Sequence, residues 1–294
     1  MESVNTLDQS IEEAISRTTS LAFSIHGSTG LGGGCIHDAS CMTGSDGRRF
    51  FVKRNSIDLL PSFEAEAHSL KLLSDTGTIR VPAPVCTCHG NGQCALILEY
   101  LPMGGRRQDW SAMGRQLAQL HRHENDRHGW DHDNWIGSFP QVNTWQDGWV
   151  EFFSECRLRP QADAARGRGL RLTKIDALME AIPAFFDDYA PPASLLHGDL
   201  WSGNAAFLDD GTPVIYDPAS YYGDRETDLA MTEMFGGFPR EFYNAYDREW
   251  PLNEGYRIRK QLYILYHTLN HYNLFGGGYG SQAESIIAGL LSHT

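Results

Sequence analysis

His197, Asp199 and Asn204 stand within eight residues of one another in the stretch LLHGDLWSGN, and Asp217 follows thirteen residues after Asn204. These residue types can carry out a definite chemistry. A carboxylate within hydrogen-bond reach can take the proton of a hydroxyl that is becoming a nucleophile. An amide and a second carboxylate offer hard oxygen donors to Mg²⁺. Upstream, the five residues Gly30 to Gly34 include four glycines, and nineteen residues after Gly34 a lysine, Lys53, closes the apolar run Phe50-Phe51-Val52. Glycine amides let phosphate approach with no Cβ in the way. Base, cation ligands, phosphate cradle and lysine are together the parts of phosphoryl transfer, in which a protein orients a nucleophile and neutralises phosphate charge. Each piece also has a plainer reading. The first stretch could be a surface turn, Asp217 could cap the turn after its strand, and Lys53 could lie along a strand with its ammonium in water.

The spacing D-x4-N from Asp199 to Asn204 equals that of the protein-kinase catalytic loop, H-R-D-x-x-x-x-N. In that arrangement Asp199 is the base, Asn204 and Asp217 hold the metal, and Asp217-Pro218-Ala219 replaces the D-F-G triplet. Gly32, Gly33 and Gly34 then cover the phosphates of ATP, which Lys53 grips. Such a lysine needs an acid on the following helix, and Glu66 is the preferred partner, with Glu64 as the fallback. The strand Ala95 to Leu101 leads into an interlobe connector, where Glu99, Tyr100 and Leu101 are expected to hold adenine, mainly through the carbonyl of Glu99 and the amide of Leu101. His121, at the end of a helix, reads as structural. Cys35 lies inside the phosphate loop, where neighbouring amides would favour a thiolate, and is a candidate redox position.

The elements that must position these groups follow from periodicity. Residues 5–18 read as an amphipathic helix, and 21–25, 36–43 and 49–54 read as short strands broken by glycine turns. A helix is expected over 61–74, with Pro61 in its first turn. CTCHGNGQCALILEY reads as a hairpin turning at Asn91-Gly92, or, less simply, as zinc ligands at Cys86, Cys88, His89 and Cys94, although it lacks paired C-x2-C knuckles. Helices are expected over 108–122, 145–158, 172–189, 225–235, 239–248, 254–271 and 282–292, interrupted by a strand-loop-strand insert at 194–217. The fold class is therefore α+β: a small antiparallel β-sheet lobe, residues 1–101, and a larger mainly α-helical lobe, residues 102–294, with a cleft between them.

Composition narrows the function. A chain of 294 residues with 41% hydrophobic content can bury a large core, and its formal net charge of -13 disfavours nucleic acid and anionic membrane as partners. Six cysteines are too few for a disulfide scaffold in a chain of this length. No apolar run is long enough for a membrane span, and acids stand where a signal peptide would carry lysines, so a cytoplasmic protein is expected, as a monomer or weak homodimer.

With these residues placed, the chain resembles the fructosamine/ketosamine 3-kinase family, a branch of the bilobal protein-kinase-like fold related to aminoglycoside phosphotransferases. The resemblance spans nearly the whole sequence. Its most specific pieces are PQVNTW at 140–145, HGDLWSGN at 197–204, DPASYYGDRETDLAMTEMFGGF at 217–238 and LNHYNLFGGGY at 269–279. One departure is visible: Asp224 stands where the family usually has histidine. The resemblance implies transfer of the γ-phosphate of ATP, with Mg²⁺, to the 3-hydroxyl of a small or protein-bound ketosamine. Gln141, Asn143 and Trp201 are then the acceptor-site candidates, with Trp145 and Trp149 nearby. Two alternatives stay open: a sibling kinase acting on an aminoglycoside, choline or a sugar, and a silent nucleotide-binding scaffold.

Overall fold

Leu7, Ile11, Ala14 and Ile15 recur at helical spacing, and they form the buried stripe of helix α1 (Leu7–Thr19). Thr6 and Gln9 close its first turn as a reciprocal capping box. The computed structural model describes residues 6–31 and 37–293. Contacts divide the chain into two units, one of residues 1–108 with 206–216, the other of residues 109–205 with 217–294. A single cut after residue 101 does not express this division, because the hairpin over 206–216 returns to the first unit.

In the first unit, strands β1 (Ile25–Gly30), β2 (Asp38–Gly44), β3 (Arg49–Ser56), β4 (Pro84–Gly90) and β5 (Gln93–Glu99) form one antiparallel sheet in the order β1-β2-β3-β5-β4. Alternation along β3 and β5 divides the core between two faces. Phe50, Val52, Ala95 and Ile97 pack with Leu7, Ile11 and Ile15 of α1. Phe51 and Lys53 alternate with them, and helix α2 (Leu60–Asp75) brings Glu66 to Lys53. Asn91 and Gly92 both have positive φ, 50° and 73°, which a two-residue primed hairpin turn requires.

The strand expected at 21–25 lies later, at Ile25–Gly30. Phe23 causes the shift: its N–H donates to Ser16 Oγ at 2.8 Å, and its ring packs edge-on against Phe50 at 5.2 Å. Burial of Phe23 thus holds the preceding segment off the sheet, and Gly30 pairs with Ser40 instead of opening a turn. The glycines at 32–34 and Cys35 lie outside the described residues.

The second unit is mainly helical: α3 (Trp110–His121), α4 (Trp149–Phe152), α5 (Arg159–Gly167), α6 (Ile175–Ala181), α7 (Glu226–Thr232), α8 (Arg240–Glu249), α9 (Tyr256–Phe275) and α10 (Tyr279–Leu291). A π-helical stretch, Phe153–Leu158, joins α4 to α5, so the helix expected to end at 158 runs on to 167. Pro160 permits this because it sits in the first turn of α5. The helix expected over 172–189 instead changes after Ala181 to a 3₁₀ segment, Ile182–Phe186, where Pro183 lacks the N–H that an α-ladder would use. Three strands too short for periodicity to reveal, Glu124–Asn125, Ala193–Leu195 and Tyr222–Gly223, form a small antiparallel sheet at the entry to HGDLWSGN. Every residue of α7 is buried, including Asp228, on which the site depends.

Helices α3 and α8 touch closely at Gly114, where an added Cβ would collide with the Phe242 carbonyl oxygen. Gly114→Ala is therefore expected to lower unfolding stability by about 1–3 kcal/mol through forced displacement of α8. Chemical unfolding followed by circular dichroism tests this; a gain in stability, as helix propensity alone would predict, would contradict the packing.

Candidate active site

In the first unit, Lys53 is 4% exposed, and its ammonium lies 2.7 Å and 2.9 Å from the two carboxylate oxygens of Glu66. The pair stands on adjoining elements, β3 and α2, and α2 turns Glu64 outward. Burial makes the partners interdependent, since removing one leaves a desolvated charge. At the end of β5 the Glu99 carboxylate accepts from Arg80 at 2.5 Å and from the amide of Ala83 at 3.2 Å, while its own N–H donates to the Ala83 carbonyl at 2.8 Å. The Arg49 guanidinium lies 4.4 Å from the Tyr100 ring centroid, and the Leu101 carbonyl accepts from Met103 at 2.9 Å.

In the second unit, the stretch HGDLWSGN is held from beneath by Asp228. One carboxylate oxygen accepts the N–H of His197 at 2.7 Å, and the other accepts that of Gly198 at 2.8 Å. His121 stands 3.1 Å from the first oxygen, with its other ring nitrogen 2.8 Å from the Tyr246 hydroxyl. Burial pushes the pKa of Asp228 up, but the hydrogen bond from His121, with the N–H groups of His197 and Gly198 beside it, holds it below the usual value. Burial pushes His121 down, so a neutral ring donates to an ionised carboxylate. His121 is thus a brace for Asp228.

Gly198 has φ of +86°, and an added Cβ would collide with the Ala219 carbonyl oxygen. The amide of Ala219 donates to the His197 carbonyl at 2.9 Å. The loop of Asp199 and the loop after Asp217 therefore touch backbone to backbone, which only glycine permits at 198. Asn204 donates through Nδ2 to the Asp199 carbonyl at 2.8 Å and to its carboxylate Oδ2 at 3.2 Å. Asp217 takes a left-handed backbone, φ +58°. The structure thus brings Asp199, Asn204 and Asp217 into one electrostatic group. Burial, then the charge of Asp217, raise the Asp199 pKa to about 7, against the opposing hydrogen bond from Asn204.

Two crowded carboxylates and an amide suit a hard divalent cation that draws its remaining oxygens from phosphate and water. Among the described residues no three His, Cys, Asp or Glu side chains are grouped to hold a metal unaided. The donor set therefore fits Mg²⁺ carried by a ligand better than a permanent protein-only site. Cys86 and Cys88 pack against the core on the α1 side of the sheet, while Cys94 donates its thiol to the Ser56 carbonyl at 3.0 Å. Among the described residues, no helix is long and apolar enough to cross a membrane.

Gln141 and Asn143 are 3% and 1% exposed, and their amides are engaged within the second unit. Gln141 donates to Asn134 at 2.7 Å and to the Ala219 carbonyl at 3.3 Å, and accepts from Tyr266 at 2.6 Å. Asn143 donates to Asn134 at 3.0 Å and to the His132 carbonyl at 2.9 Å, and accepts from Arg157 at 2.6 Å. Asn134 in turn donates to the Ser220 carbonyl at 2.8 Å. This network lies behind the segment that follows Asp217. Trp201 is half-buried. Its indole lies where any Cβ on Gly203 would sit, and its ring meets Phe235 edge-on at 5.7 Å. Trp149 is buried and donates to Tyr263 at 3.1 Å. Reading the sequence alone did not identify Asp228, Asn134, Arg157 or Phe235. The one available signal for Asp228 was an acid inside the otherwise apolar run DLAM.

Comparison with known proteins places the geometry in context. The family model for fructosamine kinase matches residues 7–293. A Synechocystis protein named probable ketoamine kinase is 45% identical, over 95% of this chain and 95% of that one. The mouse ketosamine-3-kinase is 37% identical, over 88% of this chain and 93% of the mouse protein. A solved structure from Haemophilus somnus, provisionally named fructosamine-3-kinase, superposes with a TM-score of 0.90 at 32% identity, covering 96% of this chain and 97% of that one.

The raised pKa of Asp199 has a consequence for stability. With a folded value of about 7 and an unfolded value near ~3.9, the folded state binds the proton more tightly. The stabilisation from that proton is complete below pH ~4 and is lost as pH rises through about 7. Asp199→Asn removes the buried charge, so in chelator it is expected to be more stable than the parent by about 1–3 kcal/mol at pH 8, with the difference fading toward pH ~4. Urea unfolding at the two pH values tests this; a difference independent of pH would contradict the assignment.

Proposed function

The chain belongs to the fructosamine kinase family, and on that premise we propose that it transfers the γ-phosphoryl group of Mg-ATP to the 3-hydroxyl of ketosamines, with Asp199 as general base. The observation that carries the reading is the Asp228-anchored loop, in which Asn204 fixes one oxygen of a carboxylate whose pKa lies near neutrality. A carboxylate held above its ordinary range, and ionised once a cation shares the site, is a base able to take a sugar hydroxyl proton.

Lys53, oriented by Glu66, binds the α- and β-phosphates, the amides of Gly32, Gly33 and Gly34 cover them, and Glu99, Tyr100 and Leu101 hold adenine through backbone groups. Asn204 and Asp217 would hold Mg²⁺, which when bound offsets phosphate charge. Asn204 occupies Asp199 Oδ2, so Oδ1 receives the proton of the acceptor hydroxyl as the new O–P bond forms and the bond to the β-phosphate oxygen breaks. Trp201 offers its ring to the ketose carbons. Gln141 and Asn143 act through the Ala219–Ser220 backbone by holding it in place, which accounts for their burial. The negative net charge of the chain, -13, accords with a cationic amine acceptor.

The test is to incubate the protein with Mg-ATP and a panel of fructosyl- and ribulosyl-amines, free sugars and aminoglycosides, and to locate the phosphate by NMR. Phosphate on O3 of the ketosamines is expected. Asp199→Asn should reduce turnover about 10²–10⁴-fold while nucleotide still binds. Transfer to another acceptor class, or undiminished turnover in Asp199→Asn, would contradict the proposal.

A further inference from the structure

Trp201 is the first ring of a row. It meets Phe235 at 5.7 Å, Phe235 meets His271 at 5.2 Å, and His271 meets Phe275 at 5.8 Å and Tyr279 at 5.2 Å. The row starts two residues after Asp199 and continues along the last turn of α9 to the first residue of α10. It is open to solvent: Phe235 is 47% exposed and Phe275 is 60% exposed. Rings so exposed forgo much of the stabilisation that burial gives phenylalanine.

Phe235 carries a backbone cost as well. Its φ of +54° is left-handed, a region that costs a bulky residue about 1–2 kcal/mol. Gly236 and Gly237 follow immediately, also at positive φ, and a glycine at 235 would turn the chain there without that cost. Strain that holds an aromatic ring open beside a reactive loop points to a ligand.

We propose that Phe235 and Phe275 form the subsite for the amine-bearing arm of the acceptor, the alkylammonium chain that leaves the ketose, and that they set which amines are accepted. This rests on the ketosamine kinase reading above. The chemistry matches the occupant, since a secondary ammonium is drawn to aromatic faces and its alkyl chain packs on them. His271, between the two phenylalanines, adds no opposing charge. Its Nδ1 lies 2.7 Å from the His267 carbonyl oxygen and so carries the proton, and burial pushes its pKa down, leaving the ring neutral. Trp201 keeps the sugar, and the row beyond it takes what the sugar is attached to.

The experiment compares kcat/KM for two acceptors that share one ketose, fructosyl-methylamine and fructosyl-hexylamine. Phe235→Asn removes the ring but tolerates the left-handed backbone, so folding is kept; Phe235→Tyr keeps an aromatic face. Because the two acceptors differ only in methylenes that would pack on the ring, the preference of the parent protein for the long-arm acceptor is expected to fall about five- to tenfold in Phe235→Asn, to fall in Phe275→Ala, and to return in Phe235→Tyr. Equal losses for both acceptors would mean that the ring serves only what they share, or braces Trp201, and would overturn its role in setting which amines are accepted. If the parent phosphorylates neither acceptor, the kinase reading has failed on its own account. Calorimetric binding of fructosyl-hexylamine then decides the subsite: weaker binding to Phe235→Asn than to the parent supports it, and equal binding overturns it.

Discussion

A single buried carboxylate that accepts two successive backbone amides sets the geometry of the site. Asp228 could have been satisfied by side chains alone, but it instead fixes the N–H groups of His197 and Gly198, and so sets the direction in which the chain leaves toward Asp199. Backbone amides cannot rotate away as side chains can, so the constraint passes directly to the φ and ψ of the loop. His121 and Tyr246 keep the anchor ionised and in place. Gly198 completes it by allowing the Ala219 carbonyl within the space a Cβ would fill. Gln141 and Asn134 then secure the far side of that contact.

What this scaffold holds is intrinsically unfavourable. Asp199 and Asp217 repel one another in partly desolvated surroundings, and Asp217 does so from a left-handed backbone. Folding alone gains nothing from such an arrangement, whereas the Mg-ATP site proposed for it would draw on both carboxylates. Phe235 likewise combines a ring about half exposed with a left-handed φ. Local disfavour in an otherwise well-packed unit is what is expected where a ligand supplies the missing stabilisation, as proposed for both places.

Much of this was legible in the residues themselves. The hairpin at Asn91-Gly92 follows from two residues that tolerate positive φ, and α2 from a proline in its first turn above an apolar stripe. The lysine and its partner were legible because an alternating strand and a 3.6-residue helix each leave one side chain to meet the other. Membership of the fructosamine kinase family and its kinase-like fold follow from motifs spread along the chain. The anchor was not legible. Asp228 reaches amides 30 and 31 residues away, and a bond to a backbone N–H leaves no trace in the identity of the residue that donates it. Gln141 and Asn143 are hard to read from sequence for a related reason: amides that suit sugar hydroxyls equally suit buried polar groups, and the structure shows both buried and engaged. The displaced first strand reflects one ring, Phe23, choosing the core over the sheet.

On the proposed reading the loop holds Asp199 as a carboxyl poised near neutrality until a cation shares its charge. Titration of that carboxyl by ¹³C NMR, with and without Mg²⁺ and a non-hydrolysable ATP analogue, tests it most directly. A free-protein pKa of about 7 that falls on adding the pair is the predicted result. A value near ~4 in the free protein, or one that the pair does not move, would contradict it.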